Sequence, residues 1–160
     1  MEKAKILNIY ELSENKKRLL DLEKSNNFVF HGSTSNIEAL TPRQGYNFSK
    51  KTNKMEKDGD PAIFATKFVE IAIFRALINK NNVQEPSLSY FNIENNSPCF
   101  AATQNLIDAA KTKTGKVYVL NKNQFQEHNK IESISNTSSV PIESIDVVFQ
   151  DLPKNIKIIK

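Results

Sequence analysis

This sequence of 160 residues has little cysteine and no long apolar run. Its single cysteine, Cys99, excludes an internal disulfide and a cysteine-based zinc site. No apolar run approaches the roughly 20 residues that a membrane-spanning helix needs. Residues 1–15 carry early acidic groups and lack the apolar core of a secretory signal. We therefore expect a cytoplasmic protein that does not enter a membrane.

Histidine and arginine are also scarce. The two histidines, His31 and His128, show no spacing with other ligand residues that is typical of a metal site, and we predict none. No Gly-x-Gly-x-x-Gly motif follows an apolar strand, which argues against a doubly wound dinucleotide-binding fold. Arg43, in a Leu-Thr-Pro-Arg segment, is a candidate for bidentate phosphate binding. Arg75 lies in an apolar helical segment and therefore needs an anionic or carbonyl partner.

The positive charge of the chain is modest and mostly scattered. A net charge of +4 and a pI of about 9.1 are compatible with an anionic ligand or a nucleic acid. The densest lysine group lies in the polar segment 43–60, which we predict to be a long solvated loop. Its members are Lys50, Lys51, Lys54 and Lys57. Tyr46 and Phe48 beside them form the one aromatic and basic cluster that an RNA-binding domain would use.

The length and the order of the predicted elements indicate an α+β fold. We predict a single domain over 1–160, with an N-terminal helical segment at 1–26 and a core at 27–150. Helices are predicted early and strands late, which favours a mainly antiparallel, strongly twisted sheet. The predicted helices cover 12–24, with Ser13 as the cap, then 66 or 67 to about 79, and 105–111. The predicted strands cover 28–31, 61–65, 87–93, 115–120, 131–135, 144–149 and 156–159.

The most informative segment is 27–33, with the sequence NFVFHGS. Apolar and β-branched residues that lead into a glycine are typical of a buried strand entering a turn. His31 therefore lies at the mouth of a strand, where ligand-binding groups are often found. Gly32 has no side chain, so a ligand could approach its backbone closely.

Three segments in this order resemble the core of the ADP-ribosyltransferase superfamily, in particular its poly(ADP-ribose) polymerase-like branch. Phe30–Ser33 is similar to the family's strand that ends in His-Gly-Thr/Ser. Residues 62–77, AIFATKFVEIAIFRAL, are similar to its Gly-Ile-Tyr-Phe-Ala strand and the following helix. Residues 131–135, IESIS, are similar to its Glu-Tyr-Ile-Val strand. The resemblance spans about 120 residues and implies a split sheet with flanking helices.

The resemblance also implies roles for single residues with NAD as the substrate. His31, beside Ser33, would bond the ribose next to nicotinamide, and the backbone of Gly32 would hold the nicotinamide amide. Phe74 would lie beneath the nicotinamide ring. Glu132 would be the catalytic carboxylate, which stabilises the positive charge that builds on the sugar.

Two residues depart from the family pattern and leave alternatives open. Ile63 stands where the family has a tyrosine, and Ile71 where its helix offers a serine hydroxyl to the amide. Both isoleucines make the cofactor pocket drier and favour a different substrate or a loss of catalysis. Glu127 and Glu143 compete with Glu132 as the key carboxylate.

The resemblance thus implies transfer of ADP-ribose from NAD to an unknown macromolecule, a protein or a nucleic acid, or hydrolysis of NAD. A toxin or effector role fits the small size. The first alternative is a catalytically inactive module of the same fold that binds a nucleotide-like ligand or a protein partner. The second is an enzyme similar to the RNA 2′-phosphotransferases of the superfamily, which use several arginines and histidines; Arg43 would then contact a phosphate.

Overall fold

A computed structural model describes residues 12–160 and shows a mixed α+β chain with few helices and largely antiparallel sheets. The predicted α+β class with a mainly antiparallel sheet is therefore confirmed. The first eleven residues of the predicted N-terminal segment 1–26 lie outside the described residues, as does most of the region in which a secretory signal was sought. In the part of the chain that is described, no helix is long and apolar enough to cross a membrane.

The helices and strands follow one another along the chain with short connections. In order they are α1 (Glu14–Ser25), β1 (Phe28–Ser33), β2 (Arg43–Ser49), β3 (Lys54–Thr66), α2 (Val69–Leu77), β4 (Ser89–Glu94), β5 (Ser97–Thr103), α3 (Gln104–Ala110), β6 (Thr114–Asn121), β7 (Gln126–Glu127), β8 (Glu132–Ser135), β9 (Glu143–Val148) and β10 (Ile156–Ile159). The described residues also form short 3-10 turns at Lys80–Asn82, Lys122–Gln124 and Phe149–Asp151.

Seven of the described strands form one antiparallel sheet. Its order is β7-β8-β3-β1-β6-β9, and β2 pairs with β3 alongside this path. β1 pairs with β6 along the whole length of β1, whereas β1 and β3 share one register pair among the described residues, Phe30 opposite Thr66. A smaller sheet has the order β10-β5-β4, and β10 runs parallel to β5. The strands β1, β3 and β8 that carry the motif segments are thus neighbours in one sheet.

Helix α1 covers Glu14–Ser25, close to the predicted 12–24, and Ser13 caps it as predicted. Ser13 accepts a hydrogen bond from the backbone N–H of Lys16, and Asn26 ends the helix in the left-handed conformation with φ of 60°. Glu23 of α1 then accepts a hydrogen bond from the N–H of Val69 at 2.7 Å. This carboxylate satisfies an open donor at the start of α2 and stabilises its positive dipole end.

Helix α2 lies against one face of the larger sheet and forms the centre of the main core. Seven of its nine residues are buried, as the apolar residues on several sides of the helix predict. Phe30, Val117 and Val119 of the sheet pack in the same core, together with Leu19 and Leu22 of α1. A second, smaller core on the opposite face contains Val29, Ile63, Tyr118 and Leu120.

A buried polar network joins α1 to α2 and to the turn before β10. The ammonium of Lys16, 4% exposed, lies 2.7 Å from Glu70 Oε1 and donates to the carbonyl oxygen of Asp151 at 2.8 Å. The Asp151 carboxylate accepts from the Ser13 hydroxyl at 2.6 Å and from the N–H of Val148 at 2.8 Å. Each buried charge therefore has polar partners that offset part of its desolvation cost.

One prediction of local structure was wrong, and strand β5 was missed. The predicted loop over 43–60 is a β-hairpin made of β2 and most of β3, in which Tyr46 lies opposite Lys57 and Phe48 opposite Met55. Strand β5 was not predicted, because Pro98 and small residues hide its pattern. It forms because β4 and β10 pair with its two edges, and this pairing buries Phe100 and Ala102.

Candidate ligand-binding site

A cavity of about 640 Å³ opens beside His31. Strands β1 and β3 form one side of it, through residues such as Ser33 and Ile63, and the segment 35–41 forms the other. Its volume lies within the range of about 300–1,000 Å³ that is usual for small-ligand sites. The cavity thus lies between the His31 strand and the Ile63 strand, and segment 35–41 covers it.

The wall of the cavity is held in place by Tyr118, which the sequence analysis did not single out. The ring of Tyr118 is buried beneath segment 35–41. Its hydroxyl donates to the carbonyl oxygen of Ser35 at 2.5 Å and accepts from the N–H of Ile37 at 2.7 Å. Leu40 pairs by two backbone hydrogen bonds with Ser139. A tyrosine inside a predicted core strand was a usable signal, since a buried phenol needs a partner.

His31 occupies the place where β1 and β3 separate. Its Nδ1 lies 2.7 Å from the carbonyl oxygen of Phe64 on β3. Because a carbonyl can only accept, Nδ1 carries the proton and donates, which leaves Nε2 of the neutral ring as an acceptor. Nε2 has no partner among the described residues. His31 therefore presents an unpaired acceptor at the edge of the cavity.

Burial and two arginines keep His31 neutral. Desolvation is the main cause that lowers the pKa of His31 below its usual 6.5, and the hydrogen bond to Phe64 opposes this effect. The nearby positive charges of Arg75 and Arg43 lower the pKa further. Both guanidinium groups line the cavity. The site thus combines a neutral imidazole with a positive field, which favours an anionic ligand that also offers a hydroxyl.

Four of the predicted cofactor-binding residues share the cavity: His31, Ser33, Arg43 and Ile63. Arg43 is exposed and forms no ion pair with any described side chain, so its guanidinium can bind a ligand. Ile63, 3% exposed, belongs to the small core and gives the cavity an apolar floor.

Three other predicted cofactor-binding residues pack in the core on the α2 side of the sheet. A Cβ atom added to Gly32 would lie 1.9 Å from the carbonyl oxygen of Ala72, so α2 occupies the space beside this glycine. Ile71 is fully buried, and Phe74, 2% exposed, packs its ring 4.9 Å from that of Phe100. Gly32 is therefore needed for close packing of helix on strand, and its role in holding an amide stays a prediction.

Glu132 lies on the opposite face of the sheet from His31. Thr66 pairs with Phe30 on one side and with Glu132 on the other, so Phe30 and Glu132 share the α2 face. His31, next to Phe30, has the alternate orientation and contacts Tyr118. The cavity beside His31 does not include Glu132, which lines two other surface pockets.

Arg75 connects these two faces. Its Nη1 lies 3.4 Å from Oε2 of Glu132, and the same side chain lines the His31 cavity. Glu132 is thus the anionic partner that the sequence led us to expect for Arg75. The guanidinium also lies over the ring of Phe91, 5.8 Å from its centre, which helps to hold it in place.

The two competing glutamates lie elsewhere. Glu143 pairs with Arg18 at 2.9 Å on the far edge of the sheet, and Glu127 is exposed on the short strand β7. His128 is also exposed, with its ring 6.1 Å from that of Phe64. Within 12–160, the described side chains form no group of three or more residues suited to a metal ion.

Comparisons of the chain with models of known protein families, with curated proteins and with solved structures found no match. The functional assignment therefore depends on the residues and geometry of the site.

Proposed function

We propose that this protein binds an anionic dinucleotide of the NAD type in the His31 cavity and that its fold is of the ADP-ribosyltransferase type. The observation that carries the proposal is the convergence of three groups on one cavity: the unpaired Nε2 of His31 and the guanidinium groups of Arg43 and Arg75. A pyrophosphate would bind the two arginines, and a ribose hydroxyl would donate to Nε2.

The arrangement of the strands supports the fold part of the proposal. The three segments that resemble the superfamily are far apart in sequence, yet β1, β3 and β8 are adjacent in the sheet. The larger sheet is also separate from the β10-β5-β4 sheet, and α2, the helix that follows the second motif strand, packs against β1.

The geometry favours a module that binds the dinucleotide over an enzyme that cleaves it. Glu132, the proposed carboxylate, lies on the other face from His31 and is engaged by Arg75. Ile63 and Ile71 stand in place of the hydroxyl groups of the family pattern, and Ile71 is fully buried. A nicotinamide amide would therefore lose hydrogen bonds here, at a cost of about 1–3 kcal/mol for each buried group left unpaired.

A second candidate function is cleavage of NAD with transfer of ADP-ribose to a macromolecule or to water. It is favoured by one observation: Arg75 contacts Glu132 and also lines the His31 cavity. If a ligand phosphate took over Arg75, the Glu132 carboxylate would lose its ion-pair partner. A side-chain movement that carried it past the Arg75 position to the ribose would let it stabilise the positive charge that develops as the nicotinamide bond breaks.

Calorimetric titration of the purified chain with NAD, ADP-ribose and nicotinamide tests the binding function. We expect NAD and ADP-ribose to bind and nicotinamide alone to bind poorly. Arg43→Gln should weaken NAD binding about 10- to 100-fold, since a hydrogen bond to a charged group contributes about 1.5–3 kcal/mol. Arg18→Gln is the matched control, because Arg18 is an exposed arginine far from the cavity. Equal loss in both variants, or no NAD binding at all, would refute the proposal.

Release of nicotinamide from NAD tests the second function. Glu132→Gln should abolish turnover while NAD still binds, and Glu143→Gln should leave turnover unchanged because Glu143 lies at a distant edge. Turnover that survives Glu132→Gln would remove Glu132 from the mechanism. Binding without turnover in the unmodified protein would leave the binding module as the function.

A further inference from the structure

The hairpin of β2 and β3 presents one face that is both apolar and basic. Tyr46 and Phe48 lie two residues apart on β2, so their side chains lie on the same face. Across the hairpin, Tyr46 pairs with Lys57 and Phe48 pairs with Met55. Directly paired residues of an antiparallel ladder lie on the same face, so these four side chains form one surface. We call this surface the hairpin face.

The apolar side chains of the hairpin face are exposed to solvent. Tyr46 is 54% exposed, Phe48 58% and Met55 60%. In the described structure, no helix or strand packs over them, and they belong to neither hydrophobic core. Three large apolar side chains held together in water are typical of a surface that binds a partner.

Positive charge surrounds these side chains. The segment from Tyr46 to Lys57 contains four lysines and one glutamate. The lysines are exposed and form no ion pair with any described side chain, while Glu56 accepts a hydrogen bond from the Thr52 hydroxyl at 2.8 Å. Glu56 lies opposite Asn47, on the other face of the hairpin. Lys54 lies opposite Ser49, on that other face as well. The hairpin face is therefore bordered by Lys57 and by Lys50 and Lys51 at the tip, and none of these lysines has a described anionic partner.

We propose that the hairpin face binds single-stranded nucleic acid, with bases stacked on Tyr46 and Phe48 and phosphates paired with the lysines. Residues two apart on a strand are separated by about 6.8 Å, twice the rise of a stacked base. Two rings at this spacing hold successive bases of an extended strand. Duplexes keep their bases stacked on one another, so they cannot use the rings in this way.

The order of residues along the hairpin disfavours insertion into a membrane. Lys50 and Lys51 lie in the turn at the tip, and Lys54 is the next residue to pair. Phe48 and Met55 lie behind them. To bury Phe48 and Met55 in hydrocarbon, the hairpin would have to carry the tip lysines in first, which is costly.

This surface is distinct from the His31 cavity, although the same two strands contribute to both. Arg43 and Ile63 lie at the base of the hairpin, on the other side of the irregularity at Gly59, where φ is +67°. Nucleic-acid binding therefore goes beyond the proposed dinucleotide binding, and either function can fail without the other.

Fluorescence anisotropy of labelled oligothymidylate and oligouridylate, titrated with the whole chain, tests the proposal. Both are expected to bind at low salt, more tightly than a duplex of the same length. Because Lys50, Lys51 and Lys57 are available, the logarithm of the binding constant should fall with the logarithm of salt concentration with a slope of about −2. Tyr46→Ser and Phe48→Ser should each weaken binding about tenfold.

Matched variants distinguish binding at the hairpin face from nonspecific binding to other basic or aromatic residues of the protein. Tyr90→Ser removes an exposed aromatic ring from β4, and the pair Lys111→Gln with Lys113→Gln removes two exposed lysines elsewhere; both should leave binding unchanged. Replacement of the four hairpin lysines by glutamine should abolish the salt dependence. Circular dichroism verifies that each variant is folded.

Several results would overturn the proposal. These are no binding at low salt, duplex binding as tight as single-strand binding, binding that is indifferent to both aromatic substitutions, or displacement of the oligonucleotide by excess NAD. The last result would place the nucleic acid in the His31 cavity. Tight binding to vesicles that contain phosphatidylserine, with no binding to oligonucleotides, would assign the hairpin face to membranes instead.

Discussion

The imidazole of His31 donates its Nδ1 proton to the carbonyl oxygen of Phe64, 2.7 Å away, at the point where strands β1 and β3 part. This bond replaces a ladder hydrogen bond with a side-chain bond. It fixes the tautomer of His31 and holds the cavity edge together. The proposed binding of a ribose hydroxyl depends on it, because it leaves Nε2 as the acceptor.

A fall in pH is expected to destabilise the protein, because His31 is buried in its neutral form. The folded pKa of His31 lies below 6.5, mainly because of burial, whereas the unfolded chain takes up its proton near pH 6.5. The stability that neutral His31 contributes is therefore complete above about pH 6.5, and it is lost as the pH falls from there to the lowered folded pKa. Urea unfolding at about pH 8 and about pH 5 measures this loss.

Substitution of each histidine in turn identifies the source of that pH dependence. His31→Gln should reduce the loss of unfolding free energy between the two pH values, since the buried titrating group is gone. His128→Gln removes an exposed imidazole and should preserve the loss. If both variants keep the full pH dependence, His31 does not cause it.

Gly32→Ala is expected to destabilise the protein by at least about 3 kcal/mol, because the new methyl group would meet the backbone of α2 and force helix and strand apart. Gly59→Ala is the comparison. It lies in open space and introduces only the strain of a positive φ, at a cost of about 1–2 kcal/mol. Urea midpoints measure both changes. Equal effects would show that α2 does not press on Gly32.

Tyr118→Phe is expected to loosen the wall of the cavity. The change leaves the carbonyl of Ser35 and the N–H of Ile37 without their partner, at a cost of about 1–3 kcal/mol if they stay dry. Hydrogen exchange at the amide of Ile37 should accelerate. Tyr90→Phe, on an exposed residue, is the control and should change neither stability nor exchange. Unaltered exchange at Ile37 in Tyr118→Phe would contradict this role.

Lys16→Ala is expected to destabilise the protein by about 3 kcal/mol, because it leaves Glu70 and the carbonyl of Asp151 partly buried without a cation. Lys17→Ala, on the next residue of α1, removes an exposed pair with Glu14 and should change stability by less than about 0.5 kcal/mol. Thermal or urea unfolding of the two variants side by side gives the comparison. Similar values would mean that the buried network contributes no more than a surface pair.

The sequence was most predictive where local pattern and burial agree. Strands β6 and β9, the apolar helix α2 and the Ser13 cap of α1 all appear close to where they were expected. The hairpin of β2 and β3 was missed because its apolar residues face water and its lysine-rich composition is typical of a loop. Strand β5 was missed because its pairing partners, not its own residues, stabilise it.

The same division applies to the candidate site. By itself, the sequence determined that His31 lies in a strand with buried residues before it and that Arg75, within an apolar helix, needs a partner; the strand was predicted to end at His31 but continues to Ser33. Only the tertiary structure decided that Arg43 and Arg75 meet His31 at one cavity, that α2 fills the space beside Gly32, and that Glu132 faces away from His31. The physical reason is strand register. Pairing between residues that are distant in the chain sets the face on which each side chain lies, and the local sequence pattern does not specify that pairing.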